Sequence, residues 1–282
     1  MEGSKIAVVT GGNKGIGYAI AKGLCKQFSG VVYLTARDIS RGTAAVKSLN
    51  KLSLKPEFHQ LDINDENSIK KFAHFIQEKH GGIDILVNNA AISYKKNATE
   101  PFGEQAEVTL RTNYFALLDV CHGLFPLLRP HARVVNMTSS GGCLSRIPEN
   151  KVRERFLRSD ITEEDLSNLM KEFIEVSKKG ENAKCGWGES AYVVSKVGVT
   201  ALTFIQQRKF NLDPKADIIV NCVHPGHVDT DMSSHQGPLT PEQGAEAPLY
   251  LALLPADVKS PRGELVWKDK KVVNWLNPPA GN

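Results

Sequence analysis

Short apolar, β-branched runs recur along the chain and alternate with longer stretches whose apolar residues fall three or four positions apart. Runs such as Ile-Ala-Val-Val, Asp-Ile-Leu-Val and Arg-Val-Val-Asn suit strands buried on both faces of a sheet. They predict strands over residues 6–9, 31–35, 58–61, 83–87, 133–137, 218–223 and 264–267. The stretches between them have helical period, as over residues 16–28, 40–51, 66–79 and 192–210. Strand and helix in turn imply an α/β fold, a Rossmann-type doubly wound parallel sheet with helices on both faces. No Pro/Gly-rich linker interrupts the alternation, so residues 1–282 are read as one domain.

The rhythm breaks once, between the strand ending near Met137 and the helix beginning near Ser190. A helical insertion is expected there, over about residues 141–187. Within it, Thr162-Glu-Glu-Asp165 has the form of a capped helix start. Leu166, Leu169, Met170, Phe173 and Ile174 then fall on one helical face. The preferred reading packs this stripe against its own domain; the other makes it a surface for a partner.

Composition narrows the function classes. Apolar residues make up 41% of the 282 positions and charged residues 23%, as in ordinary globular proteins. The net charge of +4 is spread among acidic residues, which argues against a nucleic-acid footprint. No apolar run reaches the length of a membrane span. The beginning Met-Glu-Gly-Ser-Lys lacks the apolar core of a signal peptide, and the ending Pro-Pro-Ala-Gly-Asn carries no lipidation or peroxisomal signal. The five cysteines, at 25, 121, 143, 185 and 222, form no CxxC pair, so reduced thiols in a cytoplasmic protein are expected. Cys25, Cys121 and Cys222 lie in apolar surroundings and are expected in the core; the reactivity of Cys143 and Cys185 is left open. His224 and His227 lack a third clustered ligand, and no metal site is expected.

The first strand runs into Thr10-Gly-Gly-Asn-Lys-Gly-Ile-Gly17, and a helix follows. A glycine-rich turn in that place lets the backbone approach a pyrophosphate, whose charge the helix N-terminus favours. The second strand ends in Leu34-Thr-Ala-Arg37-Asp38. A basic residue about twenty positions past the glycines suits the 2′-phosphate of NADP, an acidic one the ribose of NAD. Arg37 occupies that window, Lys14 is in reach of the same phosphate, and Asp38 is the residue that would favour NAD. Tyr192 and Lys196 stand four positions apart on a helix, which puts a phenol and an ammonium on one face. The same spacing recurs at Tyr18 and Lys22, where packing and solvation are the expected roles.

Taken together, these residues resemble a short-chain dehydrogenase/reductase. The resemblance is carried by the Thr10–Gly17 turn, Leu61-Asp62-Ile63, Asn88-Asn-Ala-Ala91, Thr112-Asn113, Val135-Asn-Met-Thr-Ser139, Tyr192-x-x-x-Lys196, and Pro225-Gly226 with Thr230-Asp-Met232. Within that family the chain is most similar to the monomeric NADPH-dependent carbonyl reductases, through Leu-Thr-Ala-Arg-Asp, Phe58-His-Gln-Leu-Asp-Ile63, Tyr250-Leu-Ala-Leu-Leu-Pro255 and the long insertion. The resemblance implies a catalytic set of Asn113, Ser139, Tyr192 and Lys196. It implies NADPH/NADP+ held by Gly11, Asn13, Lys14, Gly15, Ile16, Gly17, Arg37, Asp62, Ile63, Asn89, Tyr192, Lys196, Pro225, Gly226, Val228, Asp229 and Thr230. The activity implied is reduction of quinones, aldehydes and ketones, small-molecule carbonyl substrates, to alcohols. Tyr192 would deliver the proton, Ser139 would supply a second donor to the developing oxyanion, and Asn113 would help organise a water chain.

The chain departs from the family pattern at Ala91, where glycine is usual, at Gly141 and Gly142, where bulky apolar residues are common, and at His227, where an aromatic is common. The last two departures border the expected substrate pocket and imply a wider or more polar one. The insertion implies a monomer, because it would cover the helices through which relatives pair. Two alternatives stand beside carbonyl reduction. One is a reductase or dehydrogenase of a defined steroid, prostaglandin or other metabolite. The other is an NADPH-binding regulator without turnover, against which the intact catalytic set speaks.

Overall fold

The computed structural model describes residues 4–95, 97–213 and 216–279. Of the end segments read above for targeting signals, 1–5 and 278–282, residues 1–3 and 280–282 lie outside these described residues.

Seven strands form one parallel sheet: β1 (Lys5–Val9), β2 (Gly30–Ala36), β3 (Glu57–Gln60), β4 (Ile83–Asn88), β5 (Leu128–Met137), β6 (Ile219–Val223) and β7 (Leu265–Val266). Their order is β3-β2-β1-β4-β5-β6-β7, a doubly wound sheet whose direction of winding reverses between β1 and β4. Each of the seven strands overlaps one of the seven apolar runs that predicted it. The largest difference is β5, which begins five residues before the expected 133. Its first half, Leu-Arg-Pro-His-Ala, is largely polar, and its register against β4 shifts between Ile83 and Ile85. The apolar pattern therefore marks only the buried half of the strand.

The helices are α1 (Gly15–Gln27), α2 (Ile39–Asn50), α3 (Glu66–His80), α4 (Phe102–Leu110), α5 (Ala116–Leu124), α6 (Asn150–Phe156), α7 (Glu163–Lys178), α8 (Ala191–Phe210) and α9 (Pro241–Ala252). Alternate residues of each strand serve opposite faces. In β1, Ala7 and Val9 pack with Ile20 and Leu24 of α1 and Leu251 of α9. Ile6 and Val8 pack with Phe72 and Ile76 of α3 and Val120 of α5. A run buried on both faces is the expected signature of a parallel sheet covered by helices.

Two helices, α6 and α7, occupy the stretch where the rhythm breaks. α7 opens with a capping box in which Thr162 Oγ1 accepts from Asp165 N at 3.0 Å and Asp165 Oδ2 from Thr162 N at 3.1 Å. Its apolar stripe, Leu166, Leu169, Met170, Phe173 and Ile174, is buried in a cluster shared with α4 and α8. The stripe thus packs on the chain's own helices, the preferred of the two readings above.

Candidate active site

The glycine turn after β1 is shaped by close approaches. Gly11 and Gly15 have φ of +62° and +55°, where a side chain is strained. A Cβ on Gly17 would lie 2.4 Å from Asn89 Nδ2 and 2.5 Å from the Gly11 carbonyl oxygen. Asn89 belongs to the loop after β4, and its Nδ2 donates to the carbonyls of Thr10 at 2.9 Å and Gly11 at 3.2 Å. In return, Thr10 Oγ1 accepts from the amides of Asn89 (3.0 Å) and Ala90 (3.1 Å). The turn is thereby tied to the neighbouring strand end at the reversal point of the sheet, where ligands bind in open α/β sheets. Ala91 is not among the residues with positive φ, so alanine adds no backbone strain there.

α1 begins without a side-chain cap and without an acidic residue in its first turn. Its leading amides are left for an anion, the arrangement that binds phosphate. The chain around it therefore fits a dinucleotide pyrophosphate. Asn13 and Ile16 are half-buried in the same turn. Facing it is the segment after β6. Pro225 and Val228 are buried, Gly226 has φ +89°, and a Cβ on Gly15 would touch Thr230 Cγ2 at 3.3 Å. Lys14 Nζ reaches across to Asp231 Oδ2 at 2.5 Å, and Lys95 Nζ donates to the Asp231 carbonyl and to Ser234 Oγ. His235 bridges Asp229 (2.7 Å) and Asp231 (3.1 Å), which raises the pKa of its ring. Lys14 thus lies in an ion pair with the segment over the turn.

At the end of β2, Arg37 is exposed. Asp38 caps α2, its Oδ1 accepting from Arg41 N at 2.8 Å. A carboxylate engaged in this way is already committed to a helix end. Beyond β3, Asp62 Oδ1 accepts from Asn64 N at 3.0 Å, and Ile63 is buried under the loop.

Asn113, Ser139, Tyr192 and Lys196 converge at the adjoining strand ends. Ser139 follows β5, and its Oγ accepts from Gly141 N at 3.1 Å. α8 starts at an N-cap on Ser190, whose Oγ accepts from Val193 N at 3.2 Å, so Tyr192 lies in the first turn and Lys196 one turn later. Lys196 Nζ lies 5.7 Å from the Tyr192 ring centroid and donates to the Met137 carbonyl at 2.8 Å. Burial lowers the Lys196 pKa to about 8. Burial raises that of Tyr192, with the Ser139 hydroxyl pulling the other way. An amine that needs little to lose its proton therefore faces a phenol that resists losing one.

Asn113 sits in a single π-helical turn, Arg111–Phe115, between α4 and α5. Such turns recur at functional sites. Its Oδ1 accepts from Ile92 N (2.8 Å), and its Nδ2 donates to Ile92 O (2.9 Å) and Ser195 Oγ (3.0 Å). Ser195 in turn donates to the Tyr192 carbonyl at 2.8 Å. Ser195 is a positioning residue that the motif reading passed over, and Thr10, named there only as the start of the turn, is another. The signal for each was adjacency: Ser195 precedes Lys196, and Thr10 precedes the first glycine.

The remaining expectations concern single side chains. His224 is buried against Trp267 at 4.4 Å, and burial lowers its pKa to about 4; His227 is exposed. One His/Asp group, His131 with Asp217 and Asp257, has ligand atoms close together. Asp217 already accepts from both Arg133 and Arg262 there, so a cation would meet two guanidinium groups. Cys121, Cys143 and Cys222 are buried, Cys25 is half-buried, and Cys185 is exposed. Burial pushes the Cys143 thiol up to about 11, which makes it a weak nucleophile.

The family model for short chain dehydrogenases matches residues 5–152. The chain is 50% identical over 275 residues to carbonyl reductase (NADPH) 3 of Rattus norvegicus, covering 96% of this chain and 99% of that protein. It is 48% identical over 277 residues to carbonyl reductase (NADPH) 1 of Homo sapiens, covering 97% and 99%. Among solved structures, salutaridine reductase from Papaver somniferum superposes with a TM-score of 0.85 at 33% identity, over 93% of this chain and 99% of that one. The reversal point of the sheet, the uncapped glycine turn and the half-buried Tyr192 beside the buried Lys196 agree with these matches, and the chain belongs to the short-chain dehydrogenase/reductase family.

Proposed function

We propose that the protein reduces small-molecule carbonyl compounds, among them quinones, aldehydes and ketones, to alcohols with NADPH. The observation that carries this reading is the buried Lys196 ammonium beside the Tyr192 phenol and the Ser139 hydroxyl, at the mouth of a turn fitted to a dinucleotide. The relatives named as NADPH carbonyl reductases, about half identical over nearly the whole chain, support it. NADPH supplies the hydride. The chain's own groups handle the oxygen. Ser139 and Tyr192 donate hydrogen bonds to the substrate carbonyl, and those bonds strengthen as negative charge grows on it. Tyr192 releases its proton to that oxygen, and the Lys196 charge stabilises the phenolate left behind. Asn113 holds the loop at Ile92 to Ser195 and hence to the first turn of α8. Both of its amide N–H groups are engaged by protein acceptors, so a water chain would meet it at Oδ1.

Arg37 is assigned to the 2′-phosphate of NADPH. Its exposure at the end of β2 supports this, as does the commitment of Asp38 to capping α2. Following absorbance at 340 nm with a panel of quinones and aldehydes tests the whole reading; NADPH binding without turnover on any carbonyl would leave a regulator instead. In the same assay, Arg37→Ala is expected to raise KM for NADPH about tenfold, the scale of one lost charge-assisted bond, with little change for NADH. Equal losses with both cofactors would remove the 2′-phosphate assignment.

The chain is further read as one catalytic unit that acts as a monomer in the cytoplasm. α7 lies on α4, on the π-helical turn after it and on α8 through Phe173 on Phe102, Ser167 on Tyr114 (3.1 Å) and Glu163 on Lys209 (2.9 Å). A partner docking on α4 and α8 would have to displace it. All five cysteines are free, and no helix among the described residues is long and apolar enough to cross a membrane. Sedimentation at micromolar concentration should return the mass of one chain, and a stable dimer would defeat this assignment.

A further inference from the structure

The segment that follows Ser139 is held from the far end of the chain. Trp275 is buried, and its indole Nε1 donates to the Gly142 carbonyl at 2.6 Å. The Trp275 carbonyl accepts from Leu144 N at 3.0 Å, so one residue grips the loop on both sides of Cys143. The indole is set edge-on against Phe204 of α8, with centroids 5.1 Å apart and planes at 85°. Gly142 has no room to retreat. A Cβ there would lie 2.1 Å from Thr138 Oγ1 and 2.7 Å from Thr200 Oγ1, so the loop is wedged between β5 and α8. Gly142 N closes the turn by donating to the Ser139 carbonyl at 2.8 Å, and Gly141 N donates to Ser139 Oγ at 3.1 Å.

This order of contacts bears on one hydrogen atom. A serine hydroxyl has a single hydrogen to donate and two lone pairs to accept with. The Gly141 amide occupies one lone pair, so the hydroxyl is set to aim its hydrogen at another acceptor. The amide can do this only while Gly141 and Gly142 keep their orientation. We propose that Trp275 is a positioning residue for Ser139: by clamping Gly142 and Leu144 it fixes the Gly141 amide on Ser139 Oγ and so directs the hydroxyl at the substrate oxygen. The inference rests on the role given to Ser139 above.

The test is a double-mutant cycle of Trp275→Phe and Ser139→Ala, read at 340 nm with NADPH and a quinone. Phenylalanine keeps an aromatic ring against Phe204 and deletes the indole N–H. Loss of an oxyanion donor costs about a hundred- to a thousandfold in kcat, and W275F, which only loosens one, is expected to cost roughly tenfold. kcat and kcat/KM should fall together, because the bond strengthens only in the transition state. NADPH affinity should stay at its wild-type value, while the thermal midpoint should fall by a few degrees, because the buried Gly142 carbonyl loses its donor. In the S139A background, W275F should have no further effect. An equal tenfold loss in that background would show a structural role that bypasses Ser139 and would overturn the proposal. So would a raised KM at unchanged kcat, which would mean that Trp275 touches the substrate itself. If W275F does not fold, Phe204→Leu carries the same cycle, since it removes the ring that seats the indole. Should S139A alone keep full activity, the reading of the site fails; if S139A is impaired and W275F is not, only the clamp fails.

Discussion

Tyr192→Phe is expected to lower kcat for quinone reduction about a thousandfold, within the range of a lost general acid, while NADPH binds as before. The phenylalanine ring can keep the place beside Lys196, 5.7 Å from Nζ, and removes only the oxygen that would carry the proton. Its control is Tyr18→Phe. Tyr18 and Lys22 repeat the spacing, yet the Tyr18 hydroxyl donates to Ser48 Oγ at 3.0 Å on the surface, and Lys22 pairs with Glu242 at 2.8 Å. That variant should keep near-normal turnover, and equal behaviour of the two would remove Tyr192 from its role. The pH profile is a second readout of the same pair. Lys196 is charged below about pH 8 and neutral above it. The charge is what stabilises the phenolate left by proton release. kcat/KM for reduction should therefore hold at lower pH and fall as pH rises past about 8; a profile flat to pH 10 would separate Lys196 from the chemistry.

Asp217→Asn is expected to destabilise the fold by about 3–5 kcal/mol, the usual result of stripping the partner from buried charges. Asp217 and Arg133 are each 3% exposed and share a bond of 3.0 Å. The same carboxylate accepts from Arg262, from His131 (2.9 Å) and from the Asp257 amide (2.9 Å). It joins the start of β5, the approach to β6 and the loop before β7. Burial opposes its ionisation, but the Asp257 amide, His131 and Arg133 outweigh that and hold its pKa well below the usual carboxylate range. A carboxylate with a depressed folded pKa contributes its full stability above its unfolded pKa of about 3.9 and loses it as pH falls below that. Urea unfolding at neutral pH should show the lower midpoint at unchanged slope. Between pH 5 and 3, wild type should lose more stability than D217N. A difference under about 1 kcal/mol at neutral pH would mean that the arginines find water or other acceptors instead.

The parts of this molecule that were legible in its sequence are those encoded locally. Each apolar run became a strand because burial on both faces requires an unbroken apolar stretch. The Thr162-Glu-Glu-Asp165 signature became a capping box because all its partners lie within one turn. The glycine turn was readable because its steric demands select glycine at Gly11, Gly15 and Gly17. Asp38 illustrates the limit. Its position suits a ribose contact and a helix cap equally well, and only the place where α2 begins decides between them. The polar half of β5 was hidden because it lies at the less buried end of the sheet. The Asp217 network and the Trp275 clamp were hidden for another reason. Trp275 meets Gly142 across 133 positions and Arg133 meets Asp217 across 84, with no periodic pattern linking either pair.

The π-helical turn at Arg111–Phe115 sets the direction of Asn113 by an extra residue rather than by a side chain. α4, this turn and α5 run on as one continuous rod, and without the extra residue every position past 115 would be rotated by about 100° about its axis. Instead Ala106 and Leu110 face the cluster shared with α7 and α8, while Ala116, Val120 and Leu124 meet the sheet. The feature is therefore heritable as a length. A lineage that dropped a single codon between 111 and 115 would turn the asparagine away and twist the second half of the rod off the sheet in one step.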